Sequence, residues 1–371
     1  MRIAVVSNTA WYLFNFRLNL MLALQNAGHE VIAVAPPDSY ATRLNAAGLK
    51  YIPVPISGGG INPLIELSTI TRLFHVFRHQ RIDLVLSYTP KGNIYSALAG
   101  ILSGRDFVPN VSGLGRAFIK QSLITRIVRL LYRFTFHRAR HVFFQNYDDL
   151  AFFISEGFVT ADKAERLPGS GVDLVHFSEA AVPVAVGIAT DFPVFLMVAR
   201  VMWDKGIGEY VEAARRVRLQ YPAVRFQLLG SVDIDNPAAV PHATFKQWLA
   251  EGVIDYLGTT DDVRLHLRNA DCVVLPSYRE GVPRTLLEAA AMSRPVITTD
   301  TTGCRDAVVD GETGFLCKVR DADDLAETML RFIALPQTER KAMGVRGRNF
   351  VEQEFDERIV IDRYLELVRT L

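Results

Sequence analysis

The sequence predicts two α/β domains in succession, each a doubly wound parallel sheet with helices on both faces. Short apolar runs rich in Val, Ile and Phe alternate with helix-type patterns along the chain. Such alternation is typical of βαβ units. The same rhythm restarts near residue 192, and 371 residues exceed what one common core usually holds.

In the first half, apolar runs predict strands at residues 2–7, 30–35, 50–54, 83–87, 107–111 and 141–145. Two of the intervening helices are predicted at 18–27 and 41–47. Each of these is followed by a glycine, Gly28 or Gly48, which is typical of a helix C-terminus. This half therefore predicts a complete doubly wound domain.

In the second half, strands are predicted at residues 192–199, 224–229, 254–257, 271–276, 296–299 and 314–317. Helices are predicted at 208–220, 261–268 and 286–292, and the chain is helical beyond residue 334. The domain boundary is expected within 177–191, a stretch of Ala, Val, Pro and Gly with few charges. The first domain then covers 1–178 and the second 190–354.

Composition excludes several classes of protein. The net charge is +1, but residues 1–180 hold 18 Lys and Arg against 12 Asp and Glu, so the first half should meet an anionic partner. Three irregularly spaced cysteines indicate neither a disulfide framework nor a metal knuckle. The first βα turn lacks G-x-G-x-x-G, which argues against a nicotinamide or flavin enzyme.

The most informative segment runs from Glu280 to Glu288. Glu280 follows a buried strand, whereas Glu288 lies in the helix that begins near Pro283, a residue suited to the first helical position. The N–H groups of Arg284 and Thr285 would point out of the helix N-terminus, where anions bind. This arrangement suits a ligand that is part phosphate and part polyol, although an ordinary turn with two surface acids has the same pattern.

A second candidate segment follows the first strand of the second half. Arg200 and Lys205 stand five residues apart, before Gly206. Ligands of open parallel sheets bind at the carboxyl ends of strands, so this pair could grip a diphosphate from two sides. The alternative is a solvated turn before a helix.

Together, R-x4-K-G, a glycine-ended strand at Gly230 and E-G-x-P-x4-E resemble the retaining glycosyltransferase family 4, which has the GT-B fold. That fold has two Rossmann-like domains facing across a cleft. Segments around Asn15, Lys91, Gly113 and Asn146 resemble the branch that extends lipid-linked glycans, capsule and exopolysaccharide precursors. The resemblance also implies that a C-terminal helix, about 355–371, returns to the first domain.

Carried over to this sequence, the resemblance implies roles for the donor site. Arg200 and Lys205 would hold the diphosphate of a UDP-sugar, Glu280 the sugar hydroxyls and Glu288 the ribose. The remaining donor contacts would come from Gly230 and from Gly281, Val282, Pro283, Arg284, Thr285 and Leu286. The mechanism usually proposed for the family is front-face substitution, with no protein nucleophile. Neither a cofactor nor a metal ion is expected.

The acceptor site is expected in the first domain, at Asn15, Arg17, Lys91 and Asn93. Many family members have a histidine after the strand that corresponds to 83–87, and this sequence has none there. Arg17 might instead pair with a carboxylate on a helix surface, and Lys91 could be a solvated loop residue.

Residues 107–147 contain no acidic residue and seven Lys or Arg. Apolar residues follow helical spacing among them, which predicts a basic amphipathic helix on an anionic bilayer. The predicted lipid contacts are Arg116, Lys120, Arg126, Arg129 and Arg133. Alternatively, the apolar stripe faces the domain's own sheet. Nucleic acid is not expected, because no aromatic and basic stacking platform is evident.

These observations predict a retaining, metal-independent transferase that moves a hexose or N-acetylhexosamine from a UDP-sugar to a polyprenyl-diphosphate-linked glycan. A cytoplasmic location at the inner face of the plasma membrane is expected. The alternatives are a UDP-sugar 2-epimerase-like isomerase on the same scaffold and a non-catalytic, membrane-associated protein that binds sugar nucleotides.

Overall fold

The computed structural model describes residues 1–57, 62–113, 123–182, 192–232, 236 and 238–371. These residues form two compact units. The first comprises Met1–Ser170 with Arg358–Leu371, and the second comprises Gly171–Glu357. Each unit contains a parallel sheet flanked by helices, so the predicted class of two doubly wound α/β domains is confirmed.

The sheet of the first unit has seven parallel strands among the described residues. They are β1 (Arg2–Val6), β2 (Glu30–Ala35), β3 (Lys50–Pro53), β4 (Leu84–Tyr88), β5 (Asp106–Val111), β6 (Val142–Phe144) and β7 (Ala164–Arg166). Their order is β3-β2-β1-β4-β5-β6-β7, so the strand order reverses between β1 and β4. Ligands of such sheets bind beyond the carboxyl ends of the strands at this reversal.

The helices of this unit's main chain segment are α1 (Ala10–Asn26), α2 (Ala41–Ala46), α3 (Pro63–His79), α4 (Pro90–Ser103), α5 (Leu123–Phe136) and α6 (Tyr147–Ser155). Helix α1 begins eight residues before the predicted 18–27. The hydroxyl of Thr9 accepts a hydrogen bond from the N–H of Tyr12 at 3.0 Å and caps the helix at that earlier point. Asn15 and Arg17 therefore lie within α1, although the predicted helix began after them.

The second unit repeats the design with six parallel strands in the part that the structure describes. They are β8 (Val194–Val198), β9 (Arg225–Leu229), β10 (Asp255–Tyr256), β11 (Cys272–Leu275), β12 (Val296–Thr299) and β13 (Gly314–Cys317). The order is β10-β9-β8-β11-β12-β13. The reversal lies between β8 and β11, where Phe195 pairs with Cys272 and Leu196 with Val273.

The remaining helices are α7 (Ile207–Gln220), α8 (His242–Ala250), α9 (Arg264–Asn269), α10 (Arg284–Ala291), α11 (Ala322–Ala334), α12 (Gln337–Glu354) and α13 (Glu357–Thr370). Leu286 and Leu287 on α10 are fully buried in the core of the second unit. This burial fixes α10 at the end of β11, because an apolar face that leaves water stabilises the packed position.

Helix α13 completes the first unit. The ring of Tyr364 lies 4.7 Å from that of Phe143 in β6, and its hydroxyl accepts a 3.1 Å hydrogen bond from the side chain of Asn110. Arg363 forms a bidentate ion pair with Glu165 in β7, at 2.6 and 2.8 Å. The last helix thus adds both apolar and ionic contacts to the edge of this sheet.

The division between the units falls after Ser170, earlier than the expected 177–191. The N–H of Val172 donates to Phe355 at 2.9 Å, and Arg348 donates to the carbonyl of Phe177 at 2.7 Å. These bonds hold residues 171–178 to the second unit, although the sequence assigned them to the first. Residues 183–191 of the expected linker lie outside the described residues.

Candidate functional site

Two loops meet at the carboxyl ends of β8 and β11, which are hydrogen-bonded neighbours. The loop after β8 carries Arg200 and Lys205 and ends at Gly206, whose φ of 73° lies in the left-handed region. A Cβ at Gly206 would overlap the main-chain carbonyl of Pro276, in the loop after β11. Glycine therefore permits the close approach that brings Lys205 to Glu280.

Lys205 and Glu280 form an ion pair, with Nζ 2.5 Å from Oε1. The same carboxylate oxygen accepts a 2.7 Å hydrogen bond from the hydroxyl of Ser277. The two charged side chains are only 22% and 15% exposed, so water screens the pair weakly. An ammonium has three donors, so Lys205 can bind an anionic ligand while it still contacts Glu280.

Arg200 is exposed, and its guanidinium has no ion-pair or hydrogen-bond partner among the described residues. Gly230 supports its turn, because a Cβ there would overlap the carbonyl of Ala199. The N–H of Gly230 donates to Gly258 at 2.8 Å, and its carbonyl accepts from the hydroxyl of Tyr256 at 2.9 Å. With both backbone groups engaged, Gly230 shapes the Arg200 loop. Its predicted contact with a donor stays a prediction.

Glu288 lies in α10 beside a cation that the sequence had assigned only a backbone role. Arg284 donates from Nε to Oε1 of Glu288 at 2.9 Å, across one turn of the helix. Burial raises the pKa of the Glu288 carboxyl, and the charge of Arg284 opposes this shift. Glu288 therefore combines a desolvated carboxylate with a fixed orientation.

The turn before α10 is more buried than its glycine and proline suggested. Gly281, Val282 and Pro283 are buried, and Leu286 has no exposed surface. Pro283 was predicted to be the first helical residue but is the N-cap, so the helix begins one residue later, with Arg284 and Thr285 in its first two positions. N–H groups at those positions lack intrahelical acceptors, whereas the N–H of Leu286 already donates to Pro283 at 3.0 Å. Val282, Pro283 and Leu286 thus support the turn from within the protein.

Threonines at the end of β12 and directly after it hold the Glu280 loop from the side. The hydroxyl of Thr299 donates to the carbonyl of Ser277, and that of Thr301 donates to Tyr278 at 3.1 Å. The N–H of Glu280 donates to the carbonyl of Thr302 at 3.1 Å. The loop is therefore held in place without a ligand, which favours preorganised binding.

Arg200, Lys205 and Arg284 contribute positive charge at this edge of the second unit. No group of three or more His, Cys, Asp or Glu side chains that could hold a metal ion occurs in the part of the chain that the structure describes. The arrangement can bind an anion between a lysine and a helix N-terminus, with two carboxylates in place for hydroxyl groups.

Two of the predicted acceptor residues are buried in the first unit. Arg17 is 1% exposed, lies 4.2 Å from the ring centroid of Tyr88 and donates to the hydroxyl of Tyr12 at 3.3 Å. Asn93 is equally buried, and its side-chain N–H donates to the carbonyl of Asn110 at 2.8 Å. Both side chains face the core in this conformation, and their contact with an acceptor stays a prediction.

The other two predicted acceptor residues lie nearer the surface. Asn15 donates from its side chain to the carbonyl of Trp11 at 2.9 Å, along its own helix. Lys91 forms a 2.6 Å ion pair with Glu66 of α3, and both side chains are largely buried. Lys91 is therefore not the solvated lysine of the alternative interpretation, and its charge is already compensated.

Helix α5 carries the described part of the predicted lipid-binding surface, since Arg116 and Lys120 lie outside the described residues. Arg129 pairs with the carboxylate of Glu156, and Arg133 donates to the main-chain carbonyl of Glu156 at 2.7 Å. With Arg126 and Phe158 they line a cavity of about 320 Å³. Glu156, which lies beyond the acid-free stretch, thus partly neutralises this basic surface.

Apolar side chains occupy both faces of α5. Tyr132 and Phe136 are buried against the sheet, as the alternative interpretation expected. Ile127, Leu130 and Phe134 are instead 50%, 65% and 46% exposed, at a spacing that forms one outward stripe. Over the described stretches of chain, no helix is long and apolar enough to cross a membrane.

Comparison with known families decides what these two units are. Residues 16–170 match the family model of the glycosyl transferase 4-like domain, and residues 192–334 match that of the glycosyl transferases group 1. The chain belongs to glycosyltransferase family 4. The resemblance inferred from the sequence is confirmed, and the protein is a hexosyltransferase-type enzyme.

Relatives of this glycosyltransferase extend over its full length. It is 29% identical to the N,N'-diacetylbacillosaminyl-diphospho-undecaprenol alpha-1,3-N-acetylgalactosaminyltransferase of Campylobacter jejuni, over 99% of this chain and 98% of that protein. It is 24% identical to the UDP-Gal:alpha-D-GlcNAc-diphosphoundecaprenol alpha-1,3-galactosyltransferase of Escherichia coli, over 80% of this chain and 76% of that protein.

Solved structures show the fold of the glycosyltransferase. Anabaena HepE in complex with UDP-glucose superposes with a TM-score of 0.81 at 16% identity, over the whole of both chains. Sucrose-phosphate synthase from Thermosynechococcus elongatus gives 0.79 at 19% identity, over 100% of this chain and 98% of that one. The predicted GT-B fold is confirmed.

Sequence reasoning missed several contacts that shape this site. Arg284 and Glu288 stand four residues apart, a spacing that joins side chains on a helix and could have revealed the pair. The run Thr299–Thr302 follows a strand that was recognised, so its position at the ligand edge was also accessible. By contrast, the contact of Tyr278 with Glu209 joins residues 69 positions apart and has no local signal.

Proposed function

We propose that this glycosyltransferase moves a hexose or N-acetylhexosamine from a UDP-sugar to a polyprenyl-diphosphate-linked glycan, with retention of configuration and without a metal ion. The observation that carries the proposal is the joint position of the Lys205–Glu280 pair and the N-terminus of α10 at two neighbouring strand ends. A nucleotide diphosphate sugar needs both features, because it carries two phosphates and two sets of hydroxyls.

In the proposed donor complex, Lys205 and Arg200 contact the diphosphate, and the first N–H groups of α10 lie beside it. Glu280 accepts hydrogen bonds from hydroxyls of the transferred sugar. Glu288, oriented by Arg284, accepts from the ribose hydroxyls. Two cations and a helix N-terminus support a metal-independent reaction, since they supply the positive charge that a divalent ion provides in other transferases.

The proposed reaction is a front-face substitution. As the bond between the anomeric carbon and the diphosphate oxygen breaks, negative charge develops on that oxygen, and Lys205 and Arg200 stabilise it. The acceptor hydroxyl attacks from the same face, gives its proton to the departing phosphate and forms the new glycosidic bond. Glu280 is not required as a nucleophile, and its hydrogen bonds to Lys205 and Ser277 lower its nucleophilicity.

The proposed acceptor follows from the relatives, both of which are named for diphospho-undecaprenol-linked substrates. A lipid-linked substrate requires the enzyme to work at a membrane, and the outward stripe of α5 supports peripheral association at its inner face. Ile127, Leu130 and Phe134 can enter the interface while nearby arginines meet anionic headgroups. Each arginine near such a surface contributes about 1 kcal/mol.

The donor and acceptor are tested by incubating the protein with a panel of UDP-sugars and measuring UDP release with and without a polyprenyl-diphosphate-linked saccharide. Acceptor-dependent release supports the proposal, and reisolated product shows the anomeric configuration. Interconversion of the UDP-sugar without acceptor would support the epimerase-like alternative. Full activity in EDTA is expected, and loss of activity that Mg²⁺ restores would contradict metal independence.

The membrane contact is tested by co-sedimentation with vesicles of anionic and zwitterionic lipid. Replacing Ile127, Leu130 and Phe134 together by Ser should weaken binding to anionic vesicles at least about tenfold, because three apolar side chains no longer leave water. Leu102 and Leu219 are similarly exposed but lie on other helices, so their double Ser variant is the matched control. Equal binding by both variants would contradict the assignment to α5.

A further inference from the structure

Tyr278 lies in the loop between β11 and α10, two residues before Glu280, and contacts three separate segments. Its N–H donates to the carbonyl of Asp204 at 2.9 Å. Its hydroxyl donates to Oε1 of Glu209, in the first turn of α7, at 2.7 Å. Its carbonyl accepts the 3.1 Å hydrogen bond from Thr301. Asp204 and Glu209 flank Lys205 in sequence, so this residue joins the loop of Glu280 to the segment that carries Lys205.

A fourth segment holds the aromatic ring. The guanidinium of Arg320, in the turn between β13 and α11, lies 4.5 Å from the ring centroid. Arg320 has a φ of 60°, which is uncommon for a residue other than glycine and costs conformational energy. The ring is thus fixed between α7 and the β13–α11 turn, and it is only partly buried.

The carboxylate of Glu209 is satisfied at one oxygen by the hydrogen bond from the Tyr278 hydroxyl. Its second oxygen, Oε2, is buried without a hydrogen-bond partner in the described residues, and so is Oδ1 of Asp204. Buried carboxylate oxygens without partners are costly, and a site of that kind is retained where position matters more than stability. Burial and the adjacent Glu209 raise the pKa of Tyr278, so its hydroxyl stays protonated and continues to donate.

We infer that Tyr278 is a positioning residue for glycosyl transfer, which acts through Glu209 and Asp204 to set the separation of Lys205 and Glu280. This inference rests on the proposed roles of that ion pair at the donor. If the Tyr278 hydroxyl is absent, the Glu209 carboxylate loses its neutral donor and the Glu280 loop loses one of its ties. Donor binding through Glu288 and α10 is unaffected, because those contacts lie beyond the loop.

The test compares Tyr278→Phe with the wild-type protein in full-length form. The kcat for transfer should fall about tenfold, since small displacements of positioning groups cost one to two orders of magnitude. The Kd for UDP, measured by calorimetry, should change less than kcat does, because the contacts with Glu288 and the N-terminus of α10 remain. Glu209→Gln keeps an oxygen that accepts from Tyr278 and should retain kcat within about twofold, whereas Glu209→Leu should match Tyr278→Phe. The double variant Tyr278→Phe/Glu209→Leu should have the same kcat as either of its two single variants, because both remove the same contact.

A matched control is Tyr210→Phe, at the next position of α7. The Tyr210 hydroxyl lies within hydrogen-bond distance of the carbonyls of Phe195 and Gln227 in the core and can donate to either. Its loss should therefore lower the unfolding temperature and leave kcat unchanged. An unchanged kcat in Tyr278→Phe, or an equal loss in Glu209→Gln, overturns the inference. A parallel rise in the UDP Kd overturns it as well.

Hydrogen exchange separates this inference from the proposed function, because it needs no substrate. Amides of residues 277–282 should exchange faster in Tyr278→Phe than in the wild type or in Tyr210→Phe. If the wild-type protein transfers no sugar but the amides behave as expected, the proposed function fails and the positioning contact stands. Unchanged exchange in Tyr278→Phe rejects the contact.

Discussion

The two units hold a positive charge near the carboxyl edge of their sheets in opposite ways. In the second unit, Lys205 is 22% exposed and its charge is balanced by Glu280. In the first, Arg17 is 1% exposed and lies against the rings of Tyr88 and Tyr12, with no carboxylate partner among the described residues. Burial lowers the pKa of Arg17, but the surrounding Tyr12, Tyr88 and Tyr364 outweigh this effect, so the pKa is raised.

The difference separates a charge that can change partners from one that cannot. An accessible lysine in a pair can exchange a carboxylate for a phosphate at little cost, because both partners are anionic and within reach. A guanidinium enclosed by aromatic rings has already lost its water, and moving it would expose the apolar surface around it. Lys205 is therefore suited to ligand binding, whereas Arg17 stabilises the first unit.

Lys205→Ala should produce the largest effect, a fall in kcat/KM of about 10²- to 10³-fold, because a cation that stabilises the leaving group is lost. Initial rates with the preferred UDP-sugar measure it. Lys246→Ala, at an exposed position on α8, is the control and should leave the rate unchanged. A Lys205→Ala enzyme with more than a third of the wild-type rate would show that Lys205 does not stabilise the leaving group.

Arg17→Ala should act on stability. Removing the buried side chain leaves a cavity beside Tyr88, and we expect the free energy of unfolding to fall by about 2 to 4 kcal/mol in urea titrations. Arg17→Met fills a similar volume and removes a buried charge, so it should cost less than about 1.5 kcal/mol. The Met variant should also keep its transfer rate within about threefold at low temperature. A rate loss as large as that of Lys205→Ala, in a folded Arg17→Met protein, would show that the two charges are alike.

Glu280→Gln tests whether the Lys205 ammonium exchanges the Glu280 carboxylate for a phosphate of the ligand. The variant no longer neutralises Lys205, so UDP alone should bind about three- to tenfold more tightly in calorimetry. Transfer should nonetheless slow, because the amide is a weaker acceptor for the sugar hydroxyl. Weaker UDP binding in Glu280→Gln would mean that the carboxylate assists the nucleotide and does not compete with it.

The smallest expected effect is a pH dependence of stability and of UDP affinity that comes from the Glu288 carboxyl. Because burial raises its pKa, the folded protein keeps a proton on this carboxyl at pH values where the unfolded chain has lost it. Stability should therefore decrease as pH rises from the ordinary glutamate range through the raised pKa. UDP affinity should change in the opposite sense and fall a few-fold on acidification, since the ribose needs the carboxylate form. Thermal melts and UDP titrations between pH 4 and 7 should lose both trends in Glu288→Gln.

Much of the second unit follows from sequence, and the reason is physical. Arg200, Lys205 and Glu280 lie in loops that follow strands, and Glu288 lies in the helix after one of these loops. Parallel strands bring their carboxyl ends to one edge. Strand periodicity is a local property, so the position of these side chains could be predicted. By contrast, the hydrogen bonds of the Gly230 backbone depend on Gly258 and Tyr256, which lie at the end of another strand and could not be predicted from local sequence.

The side-chain environments in the first unit could not be predicted from the sequence because they depend on tertiary contacts. The Thr9 cap extends α1 and turns Arg17 inward, and no feature of Asn15-Phe-Arg17 alone distinguishes a buried arginine from a surface one. Likewise, the partner of Lys91 lies on α3, 25 residues earlier. Such pairings arise from helix packing, which spacing along the chain does not encode.

Helix α13 has a consequence for the order in which the protein forms. During synthesis the strands of the first unit emerge first, but Phe143, Asn110 and Glu165 acquire their partners only when residues 357–370 leave the ribosome. The second unit, whose residues are contiguous, is complete before that point. The first unit can therefore begin to fold first, as in the usual vectorial order, but its sheet is completed only after the second unit has emerged.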